Sequence, residues 1–347
     1  MRDYVFSFFS GAGFLDLGFE RQGFEIVYVN EIHEPFLRAY KHSRSVLGID
    51  QPKYGYALRG IDDINLDELR SFVEKCRSKG RVGFIGGPPC PDFSIAGKQA
   101  GRDGKNGQLS DSYITLICEI EPDWFVFENV KGLWSTRKHR EYYNELRKRV
   151  ESSNYYVADK LCNAIGYGAP QDRDRVILFG SKKPFTAQWH MKDPAEIKSM
   201  NWPDREPFSE NSERPCPSGI DKTLTVQYWF DLNDVENHPN ANRHFMPRAG
   251  LSKMQTVDEG DVSKKSYKRL HRWRYSPTVA YGNNEVHLHP YKVRRLDVSE
   301  ALALQSLPKE YELPNDMSLS DSFKTVGNGV PYLLAYGIAG EVKGWLG

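Results

Sequence analysis

Hydrophobic and polar positions follow two alternating patterns along residues 1–181. Short apolar runs rich in β-branched and aromatic residues predict buried strands at Tyr4–Phe9, Ile26–Val29, Val82–Ile85, Trp124–Phe127 and Val176–Gly180. Between them, apolar residues at helical spacing predict helices at 14–22, 34–42, 66–78, 110–120 and 139–152. Because strands that alternate with helices form βαβ units, we predict an α/β fold with a doubly wound, mostly parallel sheet.

The pattern changes in the middle of the chain. Residues 182–221 contain six of the 20 prolines and few periodic runs, and residues 222–291 are rich in Asn, His, Arg, Lys and aromatic residues. Helical patterns return at Val298–Leu307 and Tyr332–Trp345. We therefore expect a sheet domain over 1–181, a smaller mixed insert over 182–291, and a return to the first domain over 292–347.

Composition limits the classes of function. The 347 residues carry a net charge of +1, so nucleic-acid binding would have to come from local clusters. The five cysteines are widely spaced and form no CxxC pair, which argues against a metal site or a disulfide framework and favours a reducing cytoplasm. No stretch approaches the roughly 18 unbroken apolar residues of a membrane span, so no membrane association is expected.

A cysteine and a glutamate stand at the ends of two predicted strands. Cys90 lies in Gly86-Gly87-Pro88-Pro89-Cys90-Pro91, directly after Val82–Ile85, and Glu128 follows Trp124–Phe127. Open α/β sheets bind ligands at the carboxyl ends of their strands. The pair therefore suggests a nucleophile and a proton-handling partner, although a lone cysteine is most often an inert buried residue.

The end of the first strand resembles a nucleoside-binding turn. Glycines in Phe9-Ser10-Gly11-Ala12-Gly13 allow a ligand to approach the backbone closely, and Glu31 stands where a carboxylate can accept hydrogen bonds from ribose hydroxyls. The third glycine of a dinucleotide fingerprint is missing. This favours S-adenosyl-L-methionine over a nicotinamide cofactor.

Together these motifs resemble those of the cytosine carbon-5 DNA methyltransferases of bacterial restriction-modification systems. The resemblance covers everything except about 182–290. It lies in six stretches that occur in the family's order: Phe9–Gly13, Gly87–Cys90, Glu128–Val130, Gln171–Arg175, Arg295–Ala301 with Leu304–Pro308, and Gly327–Pro331.

The resemblance implies a fold of the S-adenosylmethionine-dependent methyltransferase type, with the insert as a target-recognition domain. It also implies that the enzyme flips the target cytosine, adds Cys90 to carbon 6 and transfers a methyl group from S-adenosyl-L-methionine to carbon 5. Glu128 would contact ring nitrogen 3 and the exocyclic amine. Arg175 would contact the cytosine carbonyl, with Arg173 as a supporting basic residue.

The same resemblance implies a set of cofactor-binding positions. They are Phe9, Gly11, Gly13, Glu31, Ile32, Asp63, Ile64, Pro89, Leu109, Asn328 and Val330. Asp63 would accept from the adenine amine beside the backbone of Ile64. Ile32 stands where the family often has an adenine-stacking side chain. The chain departs from the family pattern at Ser7, Phe14 and Pro91.

Two regions are predicted to meet DNA. The loop Ser94–Gly107 has four glycines and is interpreted as a lid over the flipped base, with contacts from Ser94, Lys98 and Arg102. In the insert, Lys264–Tyr275 packs six positive charges around three aromatic residues. The predicted DNA contacts of the insert are Arg272, Arg274 and Thr278, with Arg243, Arg248 and Asn283 as candidates for base-edge contacts.

The predicted partner is double-stranded DNA, bound by a monomer, with a cognate restriction endonuclease as a candidate companion. Three alternatives remain open at this stage: an RNA cytosine-5 methyltransferase, a catalytically silent DNA-binding regulator with the same fold, and a nicotinamide enzyme. The variable insert argues against the first, and the presence of Cys90, Glu128 and Arg175 together argues against the second. The missing glycine argues against the third.

Overall fold

One seven-stranded sheet organises the part of the chain that the structure describes. The structure is a computed structural model, and it describes residues 2–89, 105–247, 250–279, 281 and 286–347. The strands, numbered β1 to β7 in chain order, are Asp3–Phe8, Glu25–Glu31, Tyr56–Leu58, Arg81–Gly86, Trp124–Val130, Tyr156–Asn163 and Asp174–Ser181. Their spatial order is β3-β2-β1-β4-β5-β7-β6. Neighbours are parallel except β7, which is antiparallel to both β5 and β6, so the predicted doubly wound, mostly parallel sheet is confirmed.

All five predicted strands are present in the seven-stranded sheet, and two strands of that sheet were not predicted. β3 has three residues and lies at one edge of the sheet. β6 lies at the other edge, where most of its side chains are only half-buried and its apolar pattern is interrupted by Asp159 and Lys160. Edge strands lack the continuous apolar run that reveals a strand buried on both faces.

Helices cover both faces of the sheet. The helices α1 to α12 are Phe14–Arg21, Glu34–Val46, Leu66–Arg77, Lys105–Ile120, Gly132–Ser135, Arg137–Ser152, Pro194–Lys198, Val226–Leu232, Leu251–Thr256, Val298–Leu304, Leu319–Asn328 and Tyr332–Leu346. One apolar core joins α3, α4 and α6 to the sheet, and a second joins α1, α2 and α12 to it. α4 begins at Lys105, so the last three residues of the predicted loop 94–107 are helical.

The C-terminal helix α12 returns to the first part of the chain. It packs on α1, where a side chain at Gly18 would overlap the backbone of Ala335. Ile338 and Val342 are buried in the same core as Phe19. Each fully buried side chain of this size contributes about 1.5–3 kcal/mol, so the contact holds residues 332–346 firmly against the sheet.

The insert has little regular structure and is joined to the sheet domain near β7. Its residues Ser276–Pro277 pair with Gln171–Asp172, and Lys268–Arg269 pair with His287–Leu288. An apolar cluster also connects Val226, Phe230 and Leu270 of the insert to α10. The division of the chain at residues 181 and 291 remains a prediction. None of the described helices combines the length and apolar character needed to cross a bilayer.

Candidate active site

A buried ion pair stands at the carboxyl end of β5. β5 and β7 are antiparallel, with Val130 opposite Arg175, and this register brings Arg175 beside Glu128. The Glu128 Oε1 atom lies 2.7 Å from Arg175 Nε, and the two residues are 7% and 8% exposed. Arg175 Nη1 also donates a hydrogen bond to the carbonyl oxygen of Asp174 at 2.8 Å. A carboxyl and a guanidinium group are thus fixed side by side at the sheet edge.

The protein surroundings of Glu128 change the acidity of its carboxyl group. Burial raises the pKa of the Glu128 carboxyl, because desolvation penalises the carboxylate, and this effect outweighs the opposing positive charges of Arg175 and Arg173. A raised pKa increases the fraction of carboxyl groups that carry a proton at a given pH. A protonated carboxyl can lend that proton to a ring nitrogen of a bound base.

The loop after β4 closes on this carboxyl. A Cβ atom at Gly87 would lie 2.5 Å from Glu128 Oε2, so only glycine permits this approach. The Asn129 side-chain amide donates to the carbonyl oxygen of Pro88 at 3.4 Å and ties the same loop to β5. The next residues along the chain are Pro89, which is exposed, and Cys90. The contacts therefore place the segment that leads into the predicted nucleophile against the Glu128 side chain.

Several predicted residues lie outside the described residues. They are Cys90, Ser94, Lys98, Arg102, Arg248 and Asn283.

Arg173 holds three segments together. It is 1% exposed, and its guanidinium donates to the carbonyl oxygens of Val279, Gly327 and Gly329 at 2.7, 2.7 and 3.0 Å. Gln171 adds to this arrangement, because its side chain accepts from the Val279 N–H. These hydrogen bonds hold Arg173 beside the Glu128–Arg175 pair, where its charge acts on the Glu128 carboxyl, and its role as a supporting basic residue stays a prediction.

The glycine turn after β1 is held by Glu31. The two carboxylate oxygens of Glu31 accept hydrogen bonds from the backbone N–H groups of Gly11 and His33, each at 2.8 Å. Gly11 has φ +55° and nothing within 4 Å of its missing Cβ atom, so this turn opens onto free space. Gly13 has φ +80°, and a Cβ atom there would meet the Tyr40 ring at 2.5 Å. Both glycines are therefore required by the backbone or by close packing.

Three further groups converge beside β2. The Ile32 side chain is 69% exposed, and its Cδ1 atom lies 3.7 Å from the position that a Cβ atom of Gly60 would occupy. The Asp63 carboxylate approaches that same position at 2.9 Å. Ile64, the next residue, is buried in the sheet core. An exposed apolar side chain and a carboxylate thus face the same space.

The remaining predicted cofactor residues come from three other elements. Phe9 directly follows β1 and has φ +53°, and its ring contacts Tyr113 edge-on. Leu109 of α4 is half-buried against the same core. Asn328 is exposed at the end of α11, and Val330 is buried with α1 and α12. Of the predicted cofactor residues, Gly11 and Glu31 meet directly after β1 and β2, and the shared role of the whole set stays a prediction.

Arg272, a predicted DNA contact, is paired with a carboxylate inside the insert. Arg272 is 4% exposed, and its Nε and Nη2 atoms bind the two carboxylate oxygens of Glu259 at 2.8 and 2.9 Å. In this arrangement the Arg272 guanidinium is occupied by Glu259, and its contact with DNA stays a prediction. The Arg243 guanidinium is likewise engaged, with the carbonyl oxygens of Pro314 and Met317, so it is not placed to read a base edge.

The other two predicted contacts of the insert stay predictions. Arg274 is half-buried, and its guanidinium lies over the Tyr275 ring at 5.3 Å. Thr278 is exposed, and its hydroxyl donates to the Asp172 carbonyl oxygen at 2.6 Å.

Sequence reasoning missed two residues that build the site. Asn129 anchors the loop after β4, and its position inside Glu128-Asn129-Val130 was the available signal. Asn163 donates to the carboxylates of Asp172 and Asp174 at 2.7 and 2.8 Å, which fixes the strand that carries Arg175. It lies outside the recognised motifs, and no signal in the sequence marked it.

Known proteins share this sequence pattern and this fold. The profile of the C-5 cytosine-specific DNA methylase family matches residues 4–344. The chain belongs to this family. It is 56% identical to the Type II methyltransferase M.NmeDI of Neisseria meningitidis serogroup C, over 99% of this chain and 84% of that protein. It is 31% identical to the Type II methyltransferase M.FnuDI of Fusobacterium nucleatum, over 98% of this chain and 94% of that protein.

A solved structure agrees with the fold. A mutant of Spodoptera frugiperda DNMT2 superposes with a TM-score of 0.66 at 15% identity, over 98% of this chain and 99% of that one. Membership of the family makes this protein a DNA cytosine-5 methyltransferase, and the nicotinamide alternative is wrong.

Proposed function

We propose that this enzyme methylates one cytosine within a short DNA sequence, as the modification enzyme of a type II restriction-modification system. The observation that carries the proposal is the buried Glu128–Arg175 pair, against which Gly87 and Pro88 pack immediately before Cys90. The similarity to two type II methyltransferases over almost the whole chain supports the sequence-specific role.

In the proposed mechanism, Cys90 attacks carbon 6 of the flipped cytosine as a thiolate. The new C–S bond uses the sulfur electron pair, and the electron pair of the 5,6 double bond moves onto carbon 5. Because a free thiol has a pKa of about 8.5, the reaction needs a site that favours the thiolate. Flipping the base costs a few kcal/mol of unstacking, which contacts in the site must offset.

Glu128 and Arg175 serve the same step from the opposite edge of the ring. Glu128, whose carboxyl has a raised pKa, donates a proton or a hydrogen bond to nitrogen 3 of the cytosine. This draws negative charge out of the ring while the thiolate adds to carbon 6. Arg175 stabilises negative charge that develops toward the carbonyl oxygen. Their fixed separation of 2.7 Å means that both groups are positioned before the base arrives.

The methyl donor in this proposal is S-adenosyl-L-methionine, and it supplies an electrophilic methyl group when bound. The residues around the glycine turn fit it. Glu31 retains lone pairs for ribose hydroxyls, Asp63 can accept from the adenine amine, and Ile32 offers an exposed apolar surface. The Ser10 hydroxyl and the His33 Nδ1 atom are buried without a hydrogen-bond partner among the described residues, and they border the same turn. Unsatisfied buried groups of this kind point to a polar ligand.

We further propose the substrate, the oligomeric state, the location and the companion enzyme. The substrate is double-stranded DNA, the enzyme acts as a monomer in the cytoplasm, and a cognate restriction endonuclease recognises the same DNA sequence. The RNA alternative predicts that cytosine in RNA is methylated, and the silent-regulator alternative predicts that neither DNA nor RNA is methylated.

Mass spectrometry of nucleosides tests these alternatives together. Duplex DNA and total RNA are each incubated with the enzyme and S-adenosyl-L-methionine, then digested and analysed. The proposal predicts 5-methyldeoxycytidine from the DNA and background 5-methylcytidine from the RNA. Methylation of RNA alone would establish the rival substrate, and methylation of neither would establish the silent regulator.

A further inference from the structure

A basic segment follows the catalytic strand. Residues 131–140, Lys-Gly-Leu-Trp-Ser-Thr-Arg-Lys-His-Arg, carry four arginine or lysine side chains and no acidic residue. The segment begins where β5 ends at Val130, runs through the short helix α5 and enters the first turn of α6. It therefore lies at the carboxyl edge of the sheet, the edge that holds Glu128 and the glycine turn.

The start of this segment touches the rim of the active site. Lys131 Nζ lies 2.8 Å from Asp174 Oδ2, and Asp174 is the neighbour of Arg175. Leu133 is fully buried in the sheet core, so the segment has a fixed position rather than a free one. The basic residues that follow are thus held close to the place where the target base must enter.

The charges of the segment face solvent. The Arg137 side chain is 95% exposed and Lys138 is exposed. Arg137 contacts Glu141 at 3.4 Å, but a pair between two exposed side chains contributes at most about 1 kcal/mol. The Cζ atom of Arg140 lies 3.5 Å from the centroid of the Trp134 ring, and this contact holds the guanidinium near the same surface.

Arg137 and Lys138 lie in the first turn of α6, where positive side chains do not stabilise a helix. The N-terminal turn of a helix carries a partial positive charge, so acidic residues stabilise it and basic residues do not. The first turn of α6 has no acidic residue, and its N-cap Thr136 makes no side-chain capping bond. The helix dipole, Arg137 and Lys138 therefore add to one positive potential, which suits a phosphate.

We propose that the surface formed by Lys131–Arg140 binds the phosphate backbone of the substrate DNA beside the flipped cytosine. The inference rests on the proposed function and names a contact surface that the predicted motifs did not include. Its exposed charges differ from Arg272, which is buried against Glu259 in this structure. Phosphate contact positions the duplex without reading its sequence.

The salt dependence of DNA binding tests this proposal. In the Arg137→Gln/Lys138→Gln variant, two lost phosphate contacts should reduce the slope of log K against log salt by about 1.8. Affinity at 0.1 M salt should fall about tenfold to a hundredfold, equally for cognate and non-cognate duplexes. The thermal midpoint and the methylated sequence should not change, and Arg137→Lys alone should retain the wild-type slope.

The matched control is Lys75→Gln/Lys79→Gln. Both lysines are exposed and precede β4, so they lie at the opposite edge of the sheet. An unchanged slope in the Arg137/Lys138 variant, or an equal reduction in this control, would overturn the proposal. A wild-type enzyme that binds no duplex at all would instead contradict the proposed function.

Discussion

Replacing Gly87 by alanine should damage catalysis while leaving the protein folded. Gly87 carries no chemical group, and it lies in the loop that leads to Cys90. Its importance is entirely steric, because an added Cβ atom would lie 2.5 Å from the Glu128 Oε2 atom.

The structure sets the size of the effect. Ordinary carbon–oxygen contact begins near about 3.4 Å, so the carboxyl and the loop must separate by about 0.9 Å. Glu128 cannot yield freely, because it is buried and its Oε1 atom is bound to Arg175 at 2.7 Å. A misplacement of about 1 Å in a catalytic constellation costs about 10²-fold in rate, so we expect kcat to fall by about that factor. Overpacking should cost about 1–3 kcal/mol of stability.

Single-turnover methylation of a cognate duplex measures the chemical step, and urea unfolding measures stability. Gly344→Ala is the matched control, since nothing lies within 4 Å of its missing Cβ atom and alanine is favoured in α12. It should keep full activity. A Gly87→Ala enzyme with a rate within twofold of the wild type would refute the close packing of this loop on Glu128.

Three other substitutions distinguish residues that affect the methylation rate from a residue that affects the stability of the fold. Glu128→Gln should lower the methylation rate by about 10²–10⁴, the usual range for an acid–base group, and a fall below tenfold would mean that its role is misassigned. Arg175→Met should shift the alkaline limb of the pH–rate profile to higher pH. In the proposed mechanism activity needs protonated Glu128, and removing the positive charge of Arg175 raises the pKa of that carboxyl further. A shift of the alkaline limb to lower pH would contradict the assignment. Arg272→Met should cost about 3–5 kcal/mol in urea unfolding, because it leaves Glu259 buried without its main partner, and should keep the salt slope of DNA binding. A folded Arg272→Met protein with a reduced slope would restore the predicted phosphate contact.

The helices and strands of the sheet domain could be predicted because buried elements have recognisable patterns of apolar residues. Strands covered on both faces contain continuous apolar runs, such as Trp124–Phe127 of β5. β6 gave no such run, since it has one neighbour and carries charged residues on a half-exposed edge. α11 was missed because the glycine near its end and its mixed composition resemble a loop.

The candidate site was predicted in its chemical groups but not in its packing. Glu128 and Arg175 were both named from motifs, and the antiparallel pairing of β5 with β7 explains why they meet. The charge pattern of the run that contains Arg272 predicts a surface that contacts DNA. The partner that buries it, Glu259, lies on a different stretch of the insert, and nothing in the local charge pattern reveals such a pair.

The measurement that tests the central claim most directly is bisulfite sequencing of DNA incubated with the enzyme and S-adenosyl-L-methionine, beside a Cys90→Ala control. The proposed function predicts protected cytosines at one position of one short sequence with the wild-type enzyme, and none with the variant. Protection that persists in Cys90→Ala would contradict the nucleophile, and no protection with the wild type would contradict the proposed function itself.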